Sequence, residues 1–328
     1  MDSFINRANI DSIDRENDFS NAPARVISEV EKVIQGKRRP AELLLIALLS
    51  GGHVLIEDVP GVGKTTLAAA IEKAAGLSGK RAQFTPDVMA SDITGFTVFN
   101  KETSVFEYRP GLVNCNVLLA DEINRTPPKT QSALLEAMEE RRVTVEGVTH
   151  KIPEPFMVIA TQNELGYIGT YPLPEAQLDR FLMKISMGYP TSEEEIEIIS
   201  SRRKGNPAEA IQAVSSAAEI LQCIEAVRGV NIEPAVYRYI VSVVRATRAH
   251  KAVILGASPR GSLLLMRAAQ AAAFLSGRNY VIPEDVKKMA YVILSHRITI
   301  SPEAKLRSYK QHDVITDVLK AVSAPHGS

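Results

Sequence analysis

Apolar positions along the chain change texture twice. From Pro23, Val26, Ile27, Val30, Val33 and Ile34 recur at helical spacing with Gly36 placed to close the turn, and Ala41 to Ser50 is apolar enough for a buried helix. Short runs then take over. His53 to Glu57, Asn116 to Ala120, Phe156 to Thr161 and Phe181 to Ser186 have the length and composition of strands, with helix-like Thr65 to Ala75 and Thr130 to Glu140 among them. That alternation predicts an α/β domain with a parallel sheet. Phe96 to Tyr108 and Arg142 to Ile152 each alternate β-branched or aromatic positions around a polar turn, which predicts two inserted hairpins. After Pro190 the strand signal ends. Thr191 and Ser192 precede Glu194 and Glu195 as capping-box pairs, and Pro259, Pro283 and Pro302 stand where a first helical turn accepts proline. The expected layout is a flexible tail over residues 1–20, an α/β core over 21–188 and an all-α domain over 189–328.

Composition narrows the class of protein. A chain of 328 residues has room for one large and one smaller domain. Basic and acidic residues both number 38, so the bulk charge points to neither nucleic acid nor an anionic membrane as an obligate partner. Cys115 and Cys223 are far apart in sequence and lack zinc-ligand spacing, which predicts small core residues in a reducing compartment. No apolar run approaches the roughly 20 residues of a membrane span, and Met1 to Ser20 is polar and acidic; a cytoplasmic protein without membrane insertion is expected.

The chemistry concentrates in Asp58-Val59-Pro60-Gly61-Val62-Gly63-Lys64-Thr65, which follows an apolar strand and opens a helix, the setting of a P-loop. Gly61 and Gly63 let backbone N–H groups face phosphate oxygens, and the helix start adds its positive end. Lys64 supplies a charge between the β and γ phosphates of ATP, and Thr65 offers a hydroxyl to Mg²⁺. Pro60, Gly61, Val62, Gly63, Lys64, Thr65 and Thr66 form the nucleotide-binding stretch. Asp58 stands where the motif usually has glycine, so its carboxylate either faces phosphate or turns away to solvent or to a backbone N–H. The second is the favoured reading, because Gly61 and Gly63 make the nearest phosphate approach.

Val117 to Ala120 is an apolar strand ending in Asp121 and Glu122, the form of a Walker B element. Asp121 is expected to hold Mg²⁺ and Glu122 to orient or deprotonate the attacking water. Asn163, beyond the next strand, is placed either to position that water or simply to form a turn. Arg180 is an arginine-finger candidate whose alternative is a surface ion pair. Arg260 follows Ser258 and Pro259 in a first helical turn, an unfavourable place for a cation unless an anion is nearby.

Together these residues resemble the MoxR family of AAA+ ATPases over nearly all of the chain after Pro23. The resemblance is carried by Arg81-Ala82-Gln83-Phe84-Thr85-Pro86-Asp87 with Ser91 to Gly95, and by Ala120 to Arg125 with Pro127 to Gln131. It continues in Ala160 to Glu164, and in Tyr171 to Phe181. Val33-Ile34-Gln35-Gly36 is similar to the segment folded over adenine, with its last two residues reversed. The resemblance implies an αβα P-loop core with a helix-2 insert hairpin and a second hairpin before sensor 1, then an α-helical lid. It implies sensor 1 at Asn163, an arginine finger at Arg180 and sensor 2 at Arg260. It further implies a homo-oligomeric ring, commonly a hexamer, hydrolysing Mg·ATP to remodel a client protein, often with a von Willebrand factor A domain partner. The alternatives are a nucleic-acid-stimulated motor and a nucleotide switch that does not hydrolyse. Arg141-Arg142 with Lys151, Lys37 to Arg39 and Arg202 to Lys204 are the basic clusters that the first alternative requires.

Overall fold

The computed structural model describes residues 19–34, 36–163, 170–202 and 210–325. Residues 1–18, Gln35, Glu164, Arg203 and Lys204, to which expectations were attached, lie outside the described residues. Five strands form a parallel sheet in the order β2 (Gly79–Gln83), β5 (Val117–Asp121), β8 (Met157–Gln162), β1 (Val54–Glu57), β9 (Met183–Ile185). Four of them fall on the predicted apolar runs. The fifth, β2, has the sequence Gly-Lys-Arg-Ala-Gln, is partly exposed at the sheet edge and has no apolar pattern to announce it.

Strand alternation divides the buried side chains into two cores, one on each face of the sheet. Val54, Ile56, Val117, Leu119, Met157 and Ile159 face α1 (Ala22–Glu31), α2 (Arg38–Leu49) and α3 (Lys64–Ala74). Leu55, Leu118, Ala120, Val158 and Ala160 face α4 (Ala90–Thr94) and α5 (Pro128–Glu140). The strands are therefore apolar on both sides, as a covered parallel sheet requires. Fully buried Leu55, Ile56 and Leu118 are each worth about 1.5–3 kcal/mol of hydrophobic transfer.

Both hairpins are present: β3 (Gly95–Asn100) with β4 (Val105–Pro110), and β6 (Arg142–Val145) with β7 (Val148–Lys151). Tyr108 stacks on His150 with ring centroids 3.7 Å apart and donates to the Thr94 carbonyl at 2.6 Å, so it joins the hairpins. Phe99 and Phe106 instead meet edge to face near the first hairpin's tip, and Phe106 is 70% exposed.

Beyond β9 the chain is helical: α6 (Glu175–Leu178) precedes that strand, and α7 (Ser192–Arg202), α8 (Ala217–Arg228), α9 (Pro234–Ala249), α10 (Pro259–Leu275), α11 (Pro283–Leu294), α12 (Pro302–Leu306) and α13 (Gln311–Ala321) follow it. Thr191 and Glu194 make the reciprocal capping box of α7. Pro259, Pro283 and Pro302 open α10, α11 and α12. The domain expected to be all-α also holds a short antiparallel pairing of β10 (Val253–Leu255) with β11 (Thr299–Ile300), strands too short to leave an alternating pattern in the sequence. Phe19, Leu44 and Leu48 share one apolar cluster with lid residues such as Ile220, Leu265 and Val286, so α1 and α2 pack under the lid as well as on the sheet.

Candidate nucleotide site

The turn after β1 owes its shape to two glycines. Gly61 and Gly63 have φ of 86° and 89°, where a side chain is strained. A Cβ built on either meets nothing within 4 Å, so open space faces the turn. Val62 is buried and anchors it from behind. Helix α3 starts at Lys64 with no side-chain cap and no acid in its first turn, so its leading N–H groups are left for an external acceptor. Thr65 and Thr66 lie in that first turn.

Asp58 turns away from the glycines. Its carboxylate accepts from the backbone N–H of Met187 at 2.6 Å and of Gly188 at 2.9 Å, from the Ser186 hydroxyl at 2.9 Å and from its own neighbour Val59 N–H at 2.9 Å. Burial pushes its pKa up, but these donors, Gly188 and Met187 foremost, prevail and hold it below the ordinary value. The motif's irregular acid thus ties the phosphate turn to the segment that leaves β9 for the lid.

Lys64 crosses the carboxyl ends of the strands. Its Nζ donates to the Asp58 carbonyl at 2.9 Å and to Asn163 Oδ1 at 3.5 Å. Burial lowers its pKa, opposed by the charges of Asp58, Asp121 and Glu122. The Asn163 amide donates in turn to Glu122 at 3.1 Å, so one side chain bridges the lysine and the acid. Glu122 sits at φ 57°, ψ 49°, and its N–H donates to the Thr161 hydroxyl at 3.0 Å. Gln83 donates to its other carboxylate oxygen at 2.8 Å, and Arg125 lies 3.1 Å from it. Asp121, buried at the end of β5, accepts from Arg81 at 2.8 Å and Thr161 at 3.3 Å.

Arg180 and Arg260 meet elsewhere. Glu139, in the last turn of α5, lies 3.4 Å from Arg180 and 2.7 Å from Arg260. Arg260, through its hydrogen bond, lowers the Glu139 pKa against burial. This carboxylate is the anion that a cation at the start of α10 requires. Arg180 also donates to the Leu135 carbonyl at 2.9 Å.

The structure therefore gathers Lys64, Asp121, Glu122 and Asn163 at one sheet edge and sets the two arginines together on Glu139. Sequence reading missed Arg81, Gln83, Thr161 and Glu139 as partners. Gln83 and Arg81 lie on the strand with no apolar pattern, and only the fold brings Glu139 to the arginines. A cleft of about 570 Å³, lined by residues including Arg141, Phe156, Tyr237 and Arg267, opens between core and lid at the opposite ends of the strands, away from Lys64.

A parallel αβα sheet with a glycine turn after β1, an acidic pair after β5 and an amide after β8 defines a P-loop ATPase of the AAA class. Residues 53–183 match the family described as ATPase family associated with various cellular activities (AAA), and residues 245–318 match the AAA lid domain. YeaC of Bacillus subtilis is 49% identical over 92% of this chain and 94% of its own. Chaperone MoxR1 of Mycobacterium tuberculosis is 43% identical over 92% and 82%. A crystal structure of a candidate ATPase from Cytophaga hutchinsonii superposes with a TM-score of 0.89 at 38% identity, covering 97% of this chain and 99% of that one. The chain belongs to the MoxR family of AAA+ ATPases.

Proposed function

We propose that this protein binds and hydrolyses Mg·ATP as a ring-forming motor that remodels or activates a client protein complex. The observation that carries this reading is the Lys64–Asn163–Glu122 chain of contacts beside the uncapped start of α3 and the open Gly61–Gly63 turn. Free N–H groups and a lysine suit a polyphosphate, and the hydroxyl of Thr65 with the carboxylate of Asp121 is a hard oxygen set that suits Mg²⁺. When bound, that ion neutralises phosphate charge. Glu122 takes the proton from the attacking water, and Asn163 orients both. Glu122→Gln is expected to retain ATP and abolish phosphate release; ordinary turnover in that variant would remove the assignment.

Because Arg180 and Arg260 share Glu139 in the last turn of α5, set apart from the Lys64–Asn163–Glu122 contacts, both arginines are read as serving the site of an adjacent subunit. Turnover per subunit should then rise with protein concentration as the ring, taken as a hexamer, assembles. Residues 21–188 form the motor core in this reading and 189–328 the lid, with the cytoplasm as its place of action. The relative named Chaperone MoxR1 supports a chaperone-like role; a von Willebrand factor A domain protein as candidate partner follows from the family resemblance.

The basic clusters do not favour nucleic acid. Lys37 donates to the carbonyls of Met187, Gly188 and Tyr189, Arg38 pairs with Glu31 and Glu42, and Arg142 pairs with Glu140. Arg141 is held by the Phe156 and Gly51 carbonyls. These cations are engaged within the chain. Salt-sensitive stimulation of ATPase activity by DNA would reverse this preference.

A further inference from the structure

The lid reaches the finger loop through a buried guanidinium. Arg297 follows α11 in the short turn Ser295–Arg297, and its side chain is only 2% exposed. Its Nε donates to Asp179 Oδ1 at 2.7 Å, and Nη2 donates to the carbonyls of Asp179 at 3.0 Å and Phe181 at 2.5 Å. Nη1 donates to the carbonyl of Leu182 at 3.2 Å. One lid side chain thus holds the main chain on both sides of Arg180. Ser258, two residues before Arg260, donates to the other Asp179 carboxylate oxygen at 3.4 Å. At the far end of Arg180, Glu139 holds its guanidinium beside that of Arg260, which is itself a lid residue.

We propose that the lid of each subunit positions the arginine finger which that subunit offers to its neighbour, Arg297 fixing the main chain around Arg180 and Glu139 fixing its guanidinium next to Arg260. This rests on reading Arg180 as a finger that acts across a subunit boundary. A guanidinium is a rigid planar fork, so donors directed to residues 179, 181 and 182 cannot follow a lid rotation independently. A lid displaced by its own nucleotide cycle therefore carries the finger with it. Arg297 and Glu139 are positioning residues; neither contacts the lysine or the acids of its own phosphate turn.

Asp179→Ala and Glu139→Ala test this without opening a cavity around buried Arg297. Each is expected to lower kcat by about tenfold to 100-fold at ring-forming concentrations, since small misplacement of a reacting group costs on that order. KM for ATP and the oligomer distribution should match the parent; Glu139→Ala, at a partly exposed site, should keep the parent's thermal midpoint, while Asp179→Ala leaves the buried guanidinium without its carboxylate and should lower it. Mixing Asp179→Ala subunits with Glu122→Gln subunits should then raise turnover above either alone, because an intact phosphate site meets an intact finger; a stability defect within one subunit would not be complemented. Arg297→Lys, which keeps charge and loses the fork, should behave as Asp179→Ala. Parent-like turnover in Asp179→Ala and Glu139→Ala, with Arg180→Ala inactive, would overturn lid positioning and leave the finger in place. Inactive single variants with no recovery on mixing would overturn action across the boundary. A parent-like Arg180→Ala would remove the underlying functional reading instead.

Discussion

The phosphate turn and the arginine corner handle positive charge in opposite ways. At the turn, Gly61, Gly63 and the start of α3 leave backbone donors facing open space, while the one irregular acid, Asp58, is occupied with residues 186–188. At the corner, Arg180 and Arg260 have their charge met by Glu139 from the same chain. The backbone donors of the first region face open space, and the arginines of the second already have a counter-charge. Under the proposed function, a single subunit carries two halves of a catalytic apparatus, and the half made of arginines is complete only when presented to another copy's phosphate.

The largest test of that contrast is Arg180→Ala. Its kcat is expected to fall on the order of 10³-fold, as for loss of a finger charge, with ATP affinity unchanged by calorimetry; a silent variant at every protein concentration would collapse the distinction. Lys64→Ala should show the reverse pattern, losing ATP affinity by roughly 100-fold, or about 3 kcal/mol. If the two variants had the same profile, the regions would not be separate.

Asp58→Asn sharpens the turn's side of the comparison. Because the folded pKa of Asp58 is lowered, its contribution is fully present above the ordinary carboxylate value of 3.8 and is lost as pH falls through the lower folded value. Replacing it should cost about 1–3 kcal/mol at neutral pH, the worth of a buried charge-assisted network, and the gap from the parent should shrink in acid. ATP affinity should stay within about threefold of the parent, a difference of less than 1 kcal/mol. A large gain in affinity would mean that the carboxylate faces phosphate after all.

The smallest expected effect is at the hairpin tip, away from both regions. Phe106→Ser should change stability by no more than about 0.5 kcal/mol, as for an exposed surface position, and leave basal ATPase activity as in the parent. A melting point lowered by several degrees would show that the Phe99–Phe106 contact supports the core.

The sequence made the central strands legible because β1, β5 and β8 are buried on both faces and so read as continuous apolar runs. Edge strand β2 was not, since its exposed side chains need not be apolar, and although Arg81 and Gln83 belong to the family-like segment, their contacts to Asp121 and Glu122 could not be read. Lys64, Asp121, Glu122 and Asn163 could be singled out because each lies at or beyond the end of a recognisable strand. Glu139 and Arg297 were not, because their partners lie 41 and 118 residues away at Arg180 and Asp179 and no local pattern links them. The direction of the Asp58 side chain was likewise a tertiary matter, decided by Ser186, Met187 and Gly188.

The shared apolar cluster of α1, α2 and the lid has a bearing on how the molecule comes apart. Leu44 and Leu48 are covered by lid helices as well as by the sheet, so detaching the lid would bare greasy surface on the α/β core itself. Heat and denaturant should therefore melt both parts in one cooperative event, and a protease that severs the connection near Tyr189 should leave the two fragments clinging together.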